Sequence, residues 1–206
     1  MQREAALREQ ACRDKLTGLL NRHAGAAELQ RCQMQALASG QGFGVILGDI
    51  DHFKQVNDGW GHVTGDRVLQ AVACVLQDTV RSTDHVVRWG GEEFLVILPD
   101  VEMPAVQELA ERMRCAVQNQ SVAQAGQCTM SMGVGVWQLG ESEEALLQRI
   151  DAALYAAKER GRNQVCVAGL ASGAELAPGP RVGAQRAIPA PLLAQAPMPV
   201  PADLSQ

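Results

Sequence analysis

The chain has 206 residues, carries a formal charge of −5 at pH 7, and is 47% apolar but only 3% aromatic. That length holds one domain of ordinary size with residues to spare, and its core has to be built from Val, Leu, Ile, Ala and Met. A negative chain without a run of Lys or Arg excludes a broad nucleic-acid footprint, which needs a basic face, yet leaves room for a small anionic ligand held by two or three cations.

Residues 1–13 begin "MQREAALREQAC", charged and helix-favouring, with Ala5, Leu7 and Ala11 as a thin apolar stripe. So short a helix is marginal alone, and two readings stand: the end of an upstream signalling helix, or a frayed terminus. "NRHAGAAELQRCQMQALA" predicts a helix that stops at Ser39-Gly40, and "GFGVILGDID" a strand whose apolar run ends in acids. "TGDRVLQAVACVLQDTV" has apolar residues at 68, 69, 72, 75, 76 and 80, an amphipathic helix. "HVVRW" and "EEFLVILP" read as two strands joined by Gly90-Gly91, a two-residue hairpin link. "MPAVQELAERMRCAVQ" is a helix with Pro104 in its first turn, and "CTMSMGVGVWQ" a strand carrying glycines. "SEEALLQRIDAALYAAKERG" is a helix capped by Ser142 and ended by Gly161, with "NQVCVA" as a last strand. From residue 168 to 206 the chain is rich in Ala, Pro and Gly without a period, which predicts a disordered tail. The folded unit is then residues 14–167, an α+β arrangement of helices packed on a sheet.

Six cysteines, at 12, 32, 74, 115, 128 and 166, form no C-x-x-C and have no histidine at zinc-like spacing, so they read as free thiols packed as small hydrophobes. No signal-peptide pattern and no apolar run of membrane-spanning length are present, which leads to the expectation of a soluble, cytoplasmic domain with no membrane contact of its own.

The chemistry concentrates around "RWGGEEF". Adjacent glycines allow positive φ in a tight turn and clear space for a ligand beside the main chain. Glu92 and Glu93 alternate to opposite faces, and far back in the sequence the strand "VILGDID" also ends in carboxylates, Asp49 and Asp51. If the two strands are neighbours, Asp49 and Glu92 meet at one sheet edge. Such a pair suits Mg²⁺, which keeps waters and substrate phosphates as its other ligands. Against this stands the plainer reading of solvated acids at strand ends.

"RWGGEEF" resembles the signature of the GGDEF family, the diguanylate cyclases, in its GGEEF form. "DKLTGLLNR" (14–22) is similar to the family's opening motif, "DIDHFKQVNDGWGHVTGDRVL" (49–69) to its nucleotide-binding segment, "RSTD" (81–84) to its inhibitory R-x-x-D, and "ALYAAKERGRNQV" (153–165) to its closing helix and strand. The resemblance implies a palm-like, ferredoxin-like α+β sheet shared with nucleotide cyclases, with flanking helices and a GGEEF hairpin. It implies condensation of two GTP into cyclic di-GMP with release of two pyrophosphates, at a site that forms only between two protomers.

By the same resemblance, Asp49, the Ile50 carbonyl, Glu92 and Glu93 hold Mg²⁺ or Mn²⁺. Whether Glu92 or the metal alone activates the 3′-hydroxyl is left open. Asn57 and Asp66 read guanine, the backbone N–H groups of His52, Phe53 and Lys54 bind phosphate, and Lys158 and Arg162, spaced one helical turn apart, add cations. Arg81 and Asp84 form a site for cyclic di-GMP as inhibitor. Taken without the family, Asp66 is an ordinary helix-start acid, Lys158 and Arg162 a basic helix end, and Arg81 with Asp84 a loop ion pair. His62 is assigned a structural role, and Arg88 faces the phosphate region. Glu92 for Asp and Trp60 for the frequent tyrosine are the departures, and neither removes a ligand. The alternative function is a catalytically silent sensor of GTP or cyclic di-GMP.

Overall fold

The computed structural model describes residues 11–122 and 125–169. Residues 1–10 of the helix expected over 1–13, and nearly all of the Ala/Pro/Gly-rich tail expected from 168, lie outside the described residues. In chain order the elements are β1 (Leu20–Asn21), α1 (Arg22–Ser39), β2 (Phe43–Ile50), α2 (Phe53–Trp60), α3 (His62–Thr79), β3 (His85–Arg88), β4 (Glu93–Pro99), α4 (Met103–Asn119), β5 (Ser121–Val122), β6 (Gly126–Gln127), β7 (Met130–Val136), α5 (Glu143–Glu159) and β8 (Val165–Val167).

One six-stranded mixed sheet runs in the order β1-β3-β4-β2-β7-β8, and β5 with β6 makes a separate small hairpin. β2 is central and buried along its whole length, antiparallel to β4 on one side and β7 on the other. Its side chains alternate faces as a strand requires. Ile46 and Ile50 join Val68, Leu76, Val106 and Met113 from α3 and α4, whereas Val45 and Leu47 join Leu29, Leu146 and Leu154 from α1 and α5. The sheet is thus covered by helices on both faces, the α+β class expected, and its buried positions are dominated by the aliphatic side chains that the composition demanded.

Local signals explain the element ends. The Asn21 side chain accepts from the Ala24 N–H at the start of α1, and Gly40 closes that helix at φ 75°. Ser142 caps α5 through the Ala145 N–H, as its position predicts. Three expectations are corrected. The hairpin link is not a two-residue turn: Trp89 N–H donates to the Glu93 carbonyl at 2.8 Å, leaving Gly90, Gly91 and Glu92 in the loop. Neither glycine takes positive φ, because a longer loop does not demand it. A separate helix, α2, precedes α3, which begins at His62 rather than at Thr64. Finally, the cysteines are free, but Cys74 and Cys115 are exposed rather than packed, since each sits on the outer side of its helix.

Residues just beyond 14–167 make contacts with the fold. Asn21 takes hydrogen bonds back to Ala11 and Cys12, and Ala168, 6% exposed, donates to the Val134 carbonyl. Among the described residues no helix is long and apolar enough to cross a membrane.

Candidate active site

The carboxylates converge at the end of β2 and the start of β4. The antiparallel register sets Asp49 opposite Glu93, not Glu92; Glu92 lies one residue beyond the ladder, where its carbonyl accepts from Ile50 N–H at 3.3 Å. Burial pushes the Asp49 carboxyl up, and Asp51 adds to this, against the ion pair with Lys158 and the pull of Arg162. Burial likewise raises Glu92 and Glu93, each further raised by Asp49. A fourth acid, Asp151 on α5, is raised by burial and by Asp49. The sequence reading missed it, because only the packing of α5 over β7 brings residue 151 to this strand end.

Lys158, also on α5, places Nζ 2.9 Å from Asp49 Oδ2. Arg162 follows by a different route from the one expected. α5 ends at Glu159, and Arg162 takes φ 65° in the connection to β8, so the two cations are not successive turns of one helix. Gly161 and the short αL run bend the chain back, and Arg162 still lies close enough to draw on the Asp49 charge.

Three side-chain contacts fix the hairpin tip. Arg88 donates to Asp14 at 3.0 and 3.2 Å and to the Gly91 carbonyl at 2.9 Å. Burial pushes the Asp14 carboxyl up, but the Thr17 hydroxyl and amide, with Arg88, outweigh it and hold Asp14 below the usual carboxylate range. Arg22 lies over the buried Trp89 ring at 5.0 Å. Arg88 therefore ties the turn to the Asp14 loop. A Cβ on Gly90 would collide with the Glu93 carboxylate, while Gly91 looks into open space beside the turn.

The segment that resembles the family's nucleotide-binding motif, residues 49–69, runs from β2 into α2 and α3. His52 adopts φ 57° at the head of α2, so the Phe53 and Lys54 amides sit in the first turn, where N–H groups lack helical acceptors. The Phe53 ring itself is in the core. Asn57 packs its side-chain amide against Gly65, the residue before Asp66, with no room there for a Cβ; this joins the two guanine-reading candidates across the α2–α3 turn. His62 is exposed at the first residue of α3 and provides no side-chain cap, so the structural role expected for it is not seen as packing or as a cap. Trp60 is exposed beside it, 59% accessible.

Asp51 turns away from this cluster. Its Oδ1 accepts from Ser131 Oγ at 2.6 Å, and its Oδ2 from Thr129 Oγ1 at 2.7 Å and Asn163 N–H at 3.0 Å. On the far edge, Arg81 N–H donates to Asp84 Oδ2 at 2.9 Å, a closed turn ahead of β3 in place of the loop ion pair weighed above. Arg112 from α4 donates to the Thr79 carbonyl at 3.0 Å, just before that turn.

No three metal-ligating side chains among the described residues form a ready protein cage. The donor set fits a hard cation of another kind. Asp49 is buried, Glu92 and Glu93 are partly buried and each is raised by the Asp49 charge, and a Lys158 ammonium already occupies one Asp49 oxygen. Such a set suits Mg²⁺, which is bound by one or two carboxylates and completes its shell with water and phosphate.

Residues 11–164 match the family described as diguanylate cyclase, GGDEF domain. The chain is 42% identical over 165 residues to the diguanylate cyclase DgcM of Escherichia coli K12, covering 80% of this chain and 40% of that one. Among solved structures, the GGDEF domain of DgcB from Caulobacter crescentus in complex with c-di-GMP superposes with a TM-score of 0.74 at 38% identity, covering 77% of this chain and 96% of that one. The diguanylate cyclase SiaD of Pseudomonas aeruginosa, solved with its activator SiaC, gives 0.77 at 38% identity, over 81% and 65% of the two chains.

Proposed function

The chain belongs to the diguanylate cyclase GGDEF family, and from that membership we propose that it condenses two GTP into cyclic di-GMP and two pyrophosphates. It spans about 40% of the length of the DgcM relative. The observation that carries the reading is the strand-end cluster: Asp49 in register with Glu93, Glu92 at the loop beyond, and Lys158 bonded to Asp49.

Asp66 accepts from N1–H and the exocyclic amine of guanine, and Asn57 completes that edge. Adenine offers no such donor pair, which makes Asp66 the discriminating residue. The amides of His52, Phe53 and Lys54 at the head of α2 take up phosphate oxygens, with Lys158 and Arg162 supplying charge. Asp49, the Ile50 carbonyl and Glu92 hold Mg²⁺ or Mn²⁺, and Glu93 serves a second ion. When bound, the metal supplies charge stabilisation at the attacking 3′-oxygen and at the departing pyrophosphate. Each 3′-oxygen forms a bond to the α-phosphorus of the other GTP as the bond from that phosphorus to the leaving pyrophosphate breaks. The hydroxyl proton passes to the carboxylate set, where Glu92 stands at the hairpin tip. One chain holds one GTP, so the reaction takes place between two protomers.

The test is incubation of the purified chain with GTP and Mg²⁺, following cyclic di-GMP by chromatography over a range of protein concentrations. Product that rises faster than linearly with protein is expected. Tight cyclic di-GMP binding without product at any concentration would replace the cyclase by a sensor; absence of binding to either nucleotide would overturn both. Product inhibition belongs to the Arg81–Asp84 turn: Arg81→Ala is expected to relieve inhibition by added cyclic di-GMP and leave the initial rate unchanged, and inhibition that persists would remove the assignment.

A further inference from the structure

Between α5 and β8 the backbone takes positive φ at three successive residues, Gly161 (111°), Arg162 (65°) and Asn163 (45°). Glycine adopts this region freely and asparagine tolerates it, but arginine does so only where the surroundings enforce it. Asn163 is gripped from two sides. Its N–H donates to Asp51 Oδ2 at 3.0 Å, and its Oδ1 accepts from Arg114 Nη1 at 2.9 Å. Arg114 is itself held on α4 by Glu111 at 2.7 Å and by Gln118 at 3.0 Å. Asp51, 7% exposed, is anchored to the start of β7 and the residue before it through Ser131 and Thr129. Both of its oxygens are occupied by these donors.

We propose that Asp51 and Arg114 are positioning residues: together they clamp the Arg162–Asn163 segment in its left-handed conformation, and so present Arg162 to the triphosphate of the bound nucleotide. This rests on the cyclase reading of the site. It separates the roles of two acids only two residues apart, since Asp49 faces the cations while Asp51 faces the connection. The backbone enforces this split: Asp49 is in the β2 ladder and Asp51 lies past its end, where its own N–H donates to the Thr129 carbonyl at 2.9 Å. The clamp acts on the anion and leaves the guanine-reading pair Asn57–Asp66 on the α2–α3 side untouched. Its loss should therefore be felt by a nucleotide with phosphates and not by one without.

The experiment compares wild type, Asp51→Asn, Arg114→Ala and Arg162→Ala in the whole chain, titrating each with GTP and with guanosine. Asp51→Asn and Arg114→Ala are expected to weaken GTP by about tenfold, the worth of one charge-assisted hydrogen bond, with guanosine affinity within about twofold. Added to Arg162→Ala, Asp51→Asn should weaken GTP no further, because the residue it positions is gone. Equal losses for GTP and guanosine, or full additivity with Arg162→Ala, would reduce Asp51 to a general stabiliser and overturn the proposal. A second readout is independent of the nucleotide: amide exchange at Asn163 should quicken in Asp51→Asn and in Arg114→Ala, and unchanged exchange would remove the clamp. A wild-type chain that binds neither GTP nor guanosine, with exchange at Asn163 quickened as expected, would instead place the failure in the cyclase reading.

Discussion

Asp49, Glu92 and Glu93 are all raised, chiefly by burial, with Asp51 adding to Asp49 and Asp49 adding to both glutamates, and the direction of that shift has a consequence for stability. A carboxyl whose folded pKa is raised keeps its proton in the folded state after the unfolded chain has released it. Its stabilisation is complete below the ordinary carboxylate range near about pH 4 and is lost as pH rises through the raised values. The metal-free chain should therefore lose stability as pH climbs from that range toward neutral. Mg²⁺ should restore more at higher pH, because it binds the deprotonated groups. Glu92→Gln removes one of the repelling charges, and metal-free at pH 7 it is expected to melt about 2–4 °C above wild type, an effect of about 1 kcal/mol in a domain of this size. The same variant should gain less from added Mg²⁺ and should synthesise no cyclic di-GMP. Thermal melts in chelator and in Mg²⁺ across the pH range check this, and a lower metal-free melting temperature for Glu92→Gln at pH 7 would contradict it. Four members of this cluster were legible in the sequence because Asp49, Glu92, Glu93 and Lys158 sit in contiguous motifs. Asp151 was not, since its place depends on how α5 packs; nor was the outward task of Asp51, whose partners are about 80 and 112 residues away.

At the scale of elements, periodicity found the long helices α1, α3, α4 and α5 and the strands β2, β3, β4 and β7. It missed α2, whose "NDGW" end reads as turn chemistry, and β1, β5 and β6, which have two residues each and so no period to detect. The hairpin loop was misjudged because Gly-Gly alone does not set the register; the Trp89–Glu93 hydrogen bond does. The glycines noted on the β7 stretch acquire a specific reason. A Cβ on Gly133 would strike the Ile150 carbonyl and the Leu154 amide, backbone atoms of α5 that cannot rotate aside. Gly133 is thus what lets α5 lie close to the sheet and deliver Lys158 and Asp151 to the strand ends. Gly133→Ala is expected to destabilise the chain by about 1–3 kcal/mol and to weaken GTP binding through the displaced Lys158. Gly59, inside α2 with open space around its Cα, provides the contrast: alanine there should be neutral or stabilise by up to about 1 kcal/mol. Denaturant unfolding of both variants decides, and equal midpoints would deny the close approach its importance.

For the molecule as a whole, Asp49, Glu92, Glu93 and Lys158 gather where β2 meets β4, with α2 following from β2 and open space beside Gly91. Joining two GTP into a product with two equivalent linkages asks for two such ends facing each other, an arrangement with two-fold symmetry. If the reaction runs between two protomers as proposed, encounter between them limits the rate at low protein concentration, and tethering should remove that limit. A parallel two-stranded coiled coil fused ahead of residue 11 raises the local concentration of the partner domain to the order of millimolar. The phase of the fusion matters because each inserted helical residue turns the domain by about 100°, so three fusions stepped by one residue sample the orientations. In at least one phase the rate per protomer is expected to be independent of protein concentration and, at low concentration, at least about tenfold above the unfused chain. At high concentration the two should converge, since tethering changes the encounter and not the chemistry. If the unfused chain already turns over in linear proportion to protein at the lowest concentrations, and no fusion is faster, the site does not need a second copy, and the assignment of one GTP to each chain falls with it.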